Sequence, residues 1–253
     1  MIPKLRPAPS QEFLETQARY FEEADSLKYS HQTRHPYIMK SERALLDPIQ
    51  LQEGQKFLEV GCGEGGNLFF LRSSKAELFG IDLFPGKLWF AERELPSCKF
   101  VCCGVELLPF RDGTFDVVLC RDVLHHLPDR EKALRELLRV CRPGGQIVII
   151  EPNGKNPVIQ IQIWLLKAER GIRRNSPESM ENLLFHAFGS KPVMRMRQPL
   201  PVFRMVLHYR FGIPRVGYWK FVQKGFDFLN VIFEKIVPTR RWAFLVFEHR
   251  KSA

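Results

Sequence analysis

The sequence has no long apolar run. No stretch approaches the roughly 20 consecutive apolar residues that a membrane-spanning helix requires. The first seven residues also lack the apolar segment of a secretory signal peptide. Internal repeats and low-complexity segments are absent too. We therefore expect a cytoplasmic protein, and its 253 residues suit one core domain with additions.

Paired cysteines are missing as well. The chain has six cysteines, but no Cys-x-x-Cys pair is accompanied by a second pair or by closely spaced histidines. That pattern predicts no zinc site, and we expect no other metal. Most of the cysteines lie in or beside apolar runs, where a free thiol behaves as a small buried hydrophobic group. They are compatible with a reducing compartment.

Acidic residues are scarce in the last 102 residues of the chain. That part holds 18 Lys and Arg against six Asp and Glu, a net charge of +12, whereas the first 151 residues have a net charge of −2. A basic half attracts an anionic partner such as a phosphate, a membrane surface or nucleic acid. The alternative is a solvated basic surface that only aids solubility.

Short apolar runs alternate with helix-like segments over the middle of the chain. The five runs predicted as strands are 56–60, 77–81, 99–103, 116–120 and 146–150. Two later runs, 193–196 and 242–247, bring the predicted sheet to about seven strands. This alternation predicts the α/β class, with a doubly wound and mostly parallel sheet. Helical additions are expected at the N-terminus and in the C-terminal third.

The N-terminal addition is predicted as two helices. Apolar residues at helical spacing predict the first helix over 10–27, and a second follows over 38–49. A polar, aromatic connector over 29–37 separates them. In the C-terminal third, helices are predicted over 158–169 and 218–236.

A run of glycines follows the first predicted strand. Read as G-x-G-x-x-G, residues 61–66 match a dinucleotide fingerprint, with Asp82 placed to hold a ribose. Read as E-x-G-x-G-x-G, the motif begins at Glu59 instead. A carboxylate there repels a pyrophosphate but helps to hold the ammonium group of an amino-acid-like ligand, which S-adenosylmethionine carries. The glycine run alone leaves both ligands open.

Four further motifs follow the glycine run in a fixed order. They are Gly-Ile-Asp-Leu at 80–83, Leu-Pro-Phe at 108–110 with Phe-Asp-Val-Val at 115–118, Val-Leu-His-His-Leu-Pro-Asp at 123–129, and Leu-Arg-Val-Cys-Arg-Pro-Gly-Gly at 138–145. Together the motifs resemble those of class I S-adenosylmethionine-dependent methyltransferases of the type 11 branch, over about residues 50–152. The resemblance implies a Rossmann-like fold, and it favours S-adenosylmethionine as the cofactor.

The resemblance also implies a set of site residues. Glu59 and the glycine backbone would face the methionine part of the cofactor, and Asp82 would accept the two ribose hydroxyls. The family often has Asp where this chain has Gly104, which removes one polar contact to adenine. The implied cofactor-binding residues are Glu59, Gly61, Cys62, Gly63, Gly65, Asp82, Leu83, Gly104, Val105, Glu106, Cys120 and Arg121.

Methyl transfer requires little chemistry from the protein, because the sulfonium already activates the methyl group. The enzyme has to align the acceptor and exclude water. An oxygen acceptor also needs a base within hydrogen-bond reach. The candidate catalytic residues are His125 and His126, although this pair often has a structural role. His31 and Glu151 are further candidates for the base.

The resemblance divides the chain into three parts. They are an N-terminal helical lid over 1–50, a core over 51–153 that binds S-adenosylmethionine, and a C-terminal completion of the sheet over 154–253. The last part is basic and rich in phenylalanine, with Trp219, Phe226 and Phe233 at helical spacing. This helix either packs on the core or contacts a membrane surface.

The acceptor is expected to be a small molecule or lipid-like, of the quinone, prenyl or lipid-linked sugar type. Two alternatives stay open. One is an RNA methyltransferase that uses the basic C-terminal half, although no RNA-binding module is recognisable and nucleic acid is not the expected partner. The other is a non-catalytic scaffold that binds S-adenosylmethionine.

Overall fold

A computed structural model describes residues 24–210 and 212–252. Its seven-stranded sheet has the order β3-β2-β1-β4-β5-β7-β6. The strands are β1 Lys56–Val60, β2 Glu77–Asp82, β3 Lys99–Cys102, β4 Phe115–Arg121, β5 Cys141–Pro152, β6 Val193–Arg197 and β7 Phe244–Arg250. The first five are parallel, and β7 runs antiparallel to β5 and β6. The predicted doubly wound, mostly parallel α/β sheet is confirmed.

Helices cover both faces of this sheet. The α-helices are α1 Ser26–Arg34, α2 Pro36–Leu45, α3 Gly66–Leu71, α4 Pro85–Glu94, α5 Arg130–Val140, α6 Pro157–Leu165, α7 Pro177–Phe188, α8 Val202–Val206 and α9 Lys220–Ile236. Short 3-10 helices lie at Leu124–His126, Lys167–Arg174, Pro214–Tyr218 and Thr239–Arg241. In the part of the chain that the structure describes, no helix is long and apolar enough to cross a membrane.

The central strand β4 shows why two layers of helices are needed. Its side chains alternate between two apolar clusters, with Val118 and Cys120 in one and Val117 and Leu119 in the other. Helix α5 contributes to the first cluster and α4 to the second. A strand buried on both faces is typical of a parallel sheet.

The carboxyl ends of β1, β2 and β4 meet at one edge of the sheet. Val60, the last residue of β1, is paired with Ile81 on β2 and with Cys120 on β4. The turn after each strand therefore starts at the same level. In an open α/β sheet this edge is where ligands bind, at the point where the strand order reverses.

The predicted connector over 29–37 is wrong, because α1 and the start of α2 occupy it. The side chain of Asp25 accepts a hydrogen bond from Lys28 N (2.9 Å) and caps α1. The ring of His35 accepts one from Ile38 N (3.3 Å), and Pro36 is the first residue of α2. Most of the helix predicted over 10–27 lies outside the described residues.

Two other boundaries differ from the prediction. Strand β5 starts at Cys141 instead of Gln146, because Cys141 pairs with Phe115 across a register shift in β4. The backbone of Gly144 also donates to Lys251 O (2.9 Å). The helix predicted over 158–169 ends at Leu165, and the chain continues as the 3-10 helix Lys167–Arg174.

Candidate functional site

A cavity of about 540 Å³ opens at the carboxyl ends of β1, β2 and β4. The turn after β1 forms its floor, and side chains of α1 also line it. Ten of the predicted cofactor-binding residues lie on its wall: Glu59, Gly61, Cys62, Gly63, Asp82, Leu83, Gly104, Val105, Glu106 and Arg121. Residues up to 62 positions apart along the chain, Glu59 and Arg121, thus line one cavity at one edge of the sheet.

Two glycines give the turn after β1 its shape. Gly61 has φ +70°, and a Cβ there would lie 2.3 Å from Val123 Cγ2, so no side chain fits. Gly63 has φ +51°, and a Cβ there would meet nothing within 4 Å. Both conformations lie in the left-handed region, which favours glycine. The turn therefore exposes bare backbone to the cavity.

The carboxylate of Asp82 is fixed at the end of β2. Its Oδ2 accepts from Gly63 N (2.9 Å) and its Oδ1 from Phe84 N (3.0 Å). Each carboxylate oxygen keeps the capacity to accept another hydrogen bond. Asp82 thus ties the glycine turn to β2 and still offers the cavity two acceptors.

Glu59 has an unsatisfied carboxylate oxygen on the cavity wall. The side chain is buried, and its Oε1 accepts from Asn67 Nδ2 (2.6 Å). Within residues 24–210 and 212–252, nothing donates a hydrogen bond to Oε2. Burial raises the pKa of Glu59 to about 8, against the weaker lowering effects of Asn67 and Arg121. A cation in the cavity would supply the missing partner and favour the ionised form.

Arg121 links the cavity wall to a buried ion pair. It donates from Nη1 to Asn67 Oδ1 (2.7 Å) and from Nη2 to Glu42, which also accepts from Arg204 Nη1 (2.6 Å). Burial would raise the pKa of Glu42, but the two guanidinium groups lower it to about 2. The network holds α2 and α8 against the end of β4.

The comparison with protein families agrees with this geometry. A family described as a methyltransferase domain matches residues 58–149, which include the last three residues of β1, the glycine turn and most of β5. Residues 58–149 belong to the type 11 branch of the class I methyltransferases.

The names of curated relatives of the methyltransferase domain state several different methyl acceptors. The phthiotriol/phenolphthiotriol dimycocerosates methyltransferase 1 of Mycobacterium ulcerans is 34% identical over 144 residues, covering 50% of this chain and 53% of that protein. The demethylmenaquinone methyltransferase of Renibacterium salmoninarum is 31% identical over 109 residues, covering 43% of this chain and 46% of that protein. The chain thus spans about half of the length of these relatives.

A solved structure extends the similarity of fold over the whole chain. Phosphoethanolamine N-methyltransferase 2 of Haemonchus contortus, in complex with S-adenosyl-L-methionine, aligns with a TM-score of 0.66 and 18% identity. The alignment covers 100% of this chain and 62% of that protein. At this identity the likeness concerns the fold alone.

The cofactor of the methyltransferase domain is S-adenosylmethionine, and the cavity fits it. The unsatisfied Oε2 of Glu59 suits the ammonium of the methionine part. The two oxygens of Asp82 suit a pair of ribose hydroxyls, and the open space at Gly63 leaves the backbone accessible. On the opposite wall, a Cβ at Gly104 would also meet nothing within 4 Å.

Three predicted residues do not line the cavity. Gly65 faces away from it, because a Cβ there would meet Leu95 Cδ1 at 2.8 Å. Cys120 is completely buried within β4, and burial raises the pKa of its thiol well above the usual value. His125 is buried and lies behind the wall.

His125 is held between two carboxylates. It donates from Nδ1 to Glu151 Oε2 (2.6 Å) and from Nε2 to Glu169 Oε2 (3.1 Å). Burial would lower the pKa of His125, but the two carboxylates raise it to about 10. His125, His126 and Glu169 are close enough to share a cation. A metal there would have to displace the proton that His125 shares with its two carboxylates.

A second cavity of about 210 Å³ adjoins the first. Both are lined by Lys28, Gln32, Arg121, Asp122 and His126. The second is closed by α6 and by residues of α1, α2 and α8, and it mixes apolar side chains with polar ones. Because the two cavities share a wall, ligands in them would meet at these shared residues.

Two histidines of the second cavity are uncharged at neutral pH. Burial and the neighbouring His125 lower the pKa of His126 to about 3. Burial, aided by His35 and His208, lowers the pKa of His31 to about 4. Uncharged imidazoles accept protons and hydrogen bonds.

Sequence reasoning missed Asp122, which lines both cavities. It has φ +55°, which is uncommon for a residue other than glycine. Burial raises the pKa of its carboxyl, while Arg121 opposes that rise. Its position directly after the buried run of β4 was the available signal. Lys28 and Gln32 were missed because the helix α1 that carries them was predicted as a connector.

Proposed function

We propose that this protein is an S-adenosylmethionine-dependent methyltransferase acting on a small or lipid-like acceptor. The observation that carries the proposal is the pair of adjoining cavities. The larger one offers Asp82 and the unsatisfied carboxylate of Glu59 to the cofactor, and the smaller one offers a separate space to an acceptor. Asp122 and His126 lie where the two ligands would meet.

S-adenosylmethionine supplies an activated methyl group when it is bound. Glu59 would hold its ammonium, and Asp82 would orient its ribose. Helix α1 contributes Lys28 and Gln32 to both cavities. We therefore propose that residues 1–50 act as a lid that excludes water. Residues 51–153 would form the cofactor-binding core, and residues 154–253 would complete the sheet and the acceptor side.

We assign different roles to the two candidate catalytic histidines. An oxygen acceptor has to give up a proton, and His126 is uncharged and faces both cavities. With its pKa lowered to about 3, His126 is a weak base, so it would accept a hydrogen bond from the acceptor's hydroxyl at a ring nitrogen and orient it. His125 already holds a proton on each ring nitrogen, so it would act as a positioning residue behind His126. Glu151 is occupied by Val123 N, Leu124 N and His125 and is no longer a candidate for the base.

The chemistry of the second cavity supports an acceptor with a polar head and an apolar body. The apolar part of its wall is formed by Val158, Ile159, Ile172 and Phe244. His31, His208 and Tyr209 supply hydrogen-bonding groups. Quinones, prenyl compounds and lipid-linked sugars share this combination, and two relatives are named for a menaquinone precursor and for dimycocerosates.

We also propose that α9 contacts a membrane surface. None of its 17 residues is buried, and Phe221 and Phe228 are 71% and 66% exposed, beside Lys224 and Lys235. Only its inner side packs on the protein, through contacts such as Phe226 with Tyr37 (ring centroids 5.3 Å apart). An aromatic stripe bordered by lysines suits the interface of an anionic bilayer.

A transfer assay with S-adenosylmethionine labelled in the methyl group tests the function. The protein is incubated with lipid, quinone, sugar and RNA fractions, and Asp82→Ala provides the background. We expect label in a lipid or quinone fraction. Label in RNA would favour an RNA methyltransferase. Cofactor binding with no transfer to any fraction would favour a non-catalytic scaffold.

A further inference from the structure

Helix α6 has two apolar faces and no charged residue. One face is buried, and its Val158, Ile159 and Gln162 line the second cavity. The opposite face exposes Ile161 together with Trp164 and Leu165, which follow Ile161 at spacings of three and four residues. Trp164 is 77% exposed, although a tryptophan on a monomer surface is usually more covered. The helix is therefore a thin apolar wall between the second cavity and the exterior.

A basic segment continues directly from this wall. In the 3-10 helix Lys167–Arg174, the side chains of Lys167, Arg170 and Arg173 are exposed. Among the described residues, no carboxylate lies within ion-pair distance of these three. The one acidic residue of the segment, Glu169, turns inward to His125. The outer surface of the protein therefore has an apolar patch on α6. Next to the patch lie Lys167, Arg170 and Arg173 of the 3-10 helix, which have no acidic partner among the described residues.

The α6 surface is also joined to the end of α9. Asn156 caps α6 by accepting from Val158 N (3.0 Å), and it donates from Nδ2 to Arg241 O (2.7 Å). Arg240 and Arg241 belong to the turn that follows α9, and both are exposed; Arg240 pairs with Glu178, and no carboxylate among the described residues pairs with Arg241. Basic residues therefore border α6 at both ends.

We propose that α6 and the 3-10 helix after it form a docking surface for an anionic lipid bilayer on the outer side of the wall of the second cavity. The aromatic and aliphatic side chains would enter the interface, and the basic residues would contact the anionic head groups. The use of this surface for delivering an acceptor rests on the proposed function. Binding to the bilayer itself does not.

A bilayer explains this surface better than a protein partner does. The exposed face of α6 carries no charge or turn residue that would set a unique register with another chain. The positive charges lie beside the patch instead of within it. A non-specific anionic surface satisfies such an arrangement without a matched partner.

Co-flotation with vesicles tests the proposal. The probes are vesicles of phosphatidylcholine containing phosphatidylglycerol, and vesicles of phosphatidylcholine alone. We expect binding to the anionic vesicles that weakens with added salt. The double variant Ile161→Ser/Trp164→Ser should bind about tenfold more weakly, because two apolar side chains no longer enter the interface. The matched control is Trp89→Ser, which removes a tryptophan that is 72% exposed on α4 and should bind as the wild type does.

Fluorescence locates the contact independently of the serine variants. Trp164→Phe keeps an apolar side chain, so it should still float with the vesicles. Brominated lipids should quench the tryptophan fluorescence of the wild type more than that of Trp164→Phe, because only the wild type has an indole on this face of α6. Equal quenching of the two proteins would overturn the proposal.

Other occupants of the patch give different results. If a second copy of the chain covers it, sedimentation should show a dimer that Ile161→Ser/Trp164→Ser dissociates, without vesicle binding. If residues 1–23 cover it, their removal should be required for flotation. Either result would overturn the bilayer proposal. Calorimetric binding of S-adenosylmethionine without flotation would overturn this inference alone, whereas flotation without cofactor binding would overturn the proposed function alone.

Discussion

Two buried glutamates in this site have opposite tendencies to ionise. Glu42 lies between Arg121 and Arg204, which lower its pKa to about 2 in spite of burial. Glu59 has a neutral amide, Asn67, on one oxygen, and burial raises its pKa to about 8 against the weaker lowering effects of Asn67 and Arg121. The difference arises from the cations that each carboxylate meets. Among the described residues, no cation pairs directly with the Oε2 atom of Glu59, so a positively charged ligand would supply that partner.

Binding of S-adenosylmethionine should therefore release a proton from Glu59. At about pH 6.5, which is below its pKa of about 8, the carboxyl is mostly protonated, and pairing with the ligand's ammonium drives that proton off. We expect the release of close to one proton, measured by calorimetry in buffers of different ionisation enthalpy. Glu59→Gln should release none. Equal proton release by the two proteins would contradict the assigned role of Glu59.

At the scale of elements, the 3-10 helix Lys167–Arg174 is fixed to the turn that carries the two histidines. A Cβ at Gly171 would lie 1.8 Å from His125 O, and Arg130 Nη2 donates to Gly171 O (3.5 Å). Arg174 Nη2 also donates to His125 O (3.1 Å). This close backbone contact sets the position of His125 between its carboxylates.

Gly171→Ala should destabilise the protein by about 3 kcal/mol, because neither backbone can move away from the added methyl group without strain. The matched control is Gly225→Ala on α9, where a Cβ would meet nothing within 4 Å. It should stabilise by about 0.5–1 kcal/mol, since alanine is the better helix former. Urea denaturation measures both changes. Equal effects of the two substitutions would disprove the close contact at Gly171.

The ion pairs of His125 should make stability depend on pH. Its pKa is raised from 6.5 to about 10, so its contribution is fully present below about pH 6.5 and is lost as the pH rises towards 10. Urea denaturation measures the free energy of unfolding of the wild type and of His125→Gln. The wild type should be more stable by the largest margin at about pH 6, and this margin should be smaller at about pH 9. The exposed His186→Gln should parallel the wild type throughout. A difference that does not vary with pH would show that His125 is not held as a cation.

Elements with strong local signals were predicted well. Strand β1 matches its predicted bounds because the apolar residues Phe57, Leu58 and Val60 come directly before a glycine turn. The start of β5 was missed because Arg142-Pro143-Gly144-Gly145 has the composition of a turn, while its pairing partners Phe115 and Lys251 are distant in sequence. Helix α1 was missed because few of its residues are apolar. Tyr29 holds it through ring contacts with Phe69 and Phe90.

At the scale of the whole molecule, the proposed cofactor site and the proposed acceptor site are formed by different parts of the chain. The parallel strands bring the predicted residues of the glycine turn, β2 and β4 to one cavity, so local motifs were enough to predict ten residues of that wall. The second cavity is assembled from α1, α2, α6 and α8, which have no shared motif. Its residues, such as His208 and Tyr209, could not be grouped before the fold was known.

The most direct test of the cofactor site is calorimetric titration with S-adenosylmethionine. The wild type should bind one equivalent. Asp82→Ala should bind about a hundredfold more weakly, because two hydrogen bonds to a charged acceptor are lost. Asp47→Ala, in the exposed turn after α2, should bind as the wild type does. No binding by the wild type, or equal binding by Asp82→Ala, would contradict the account.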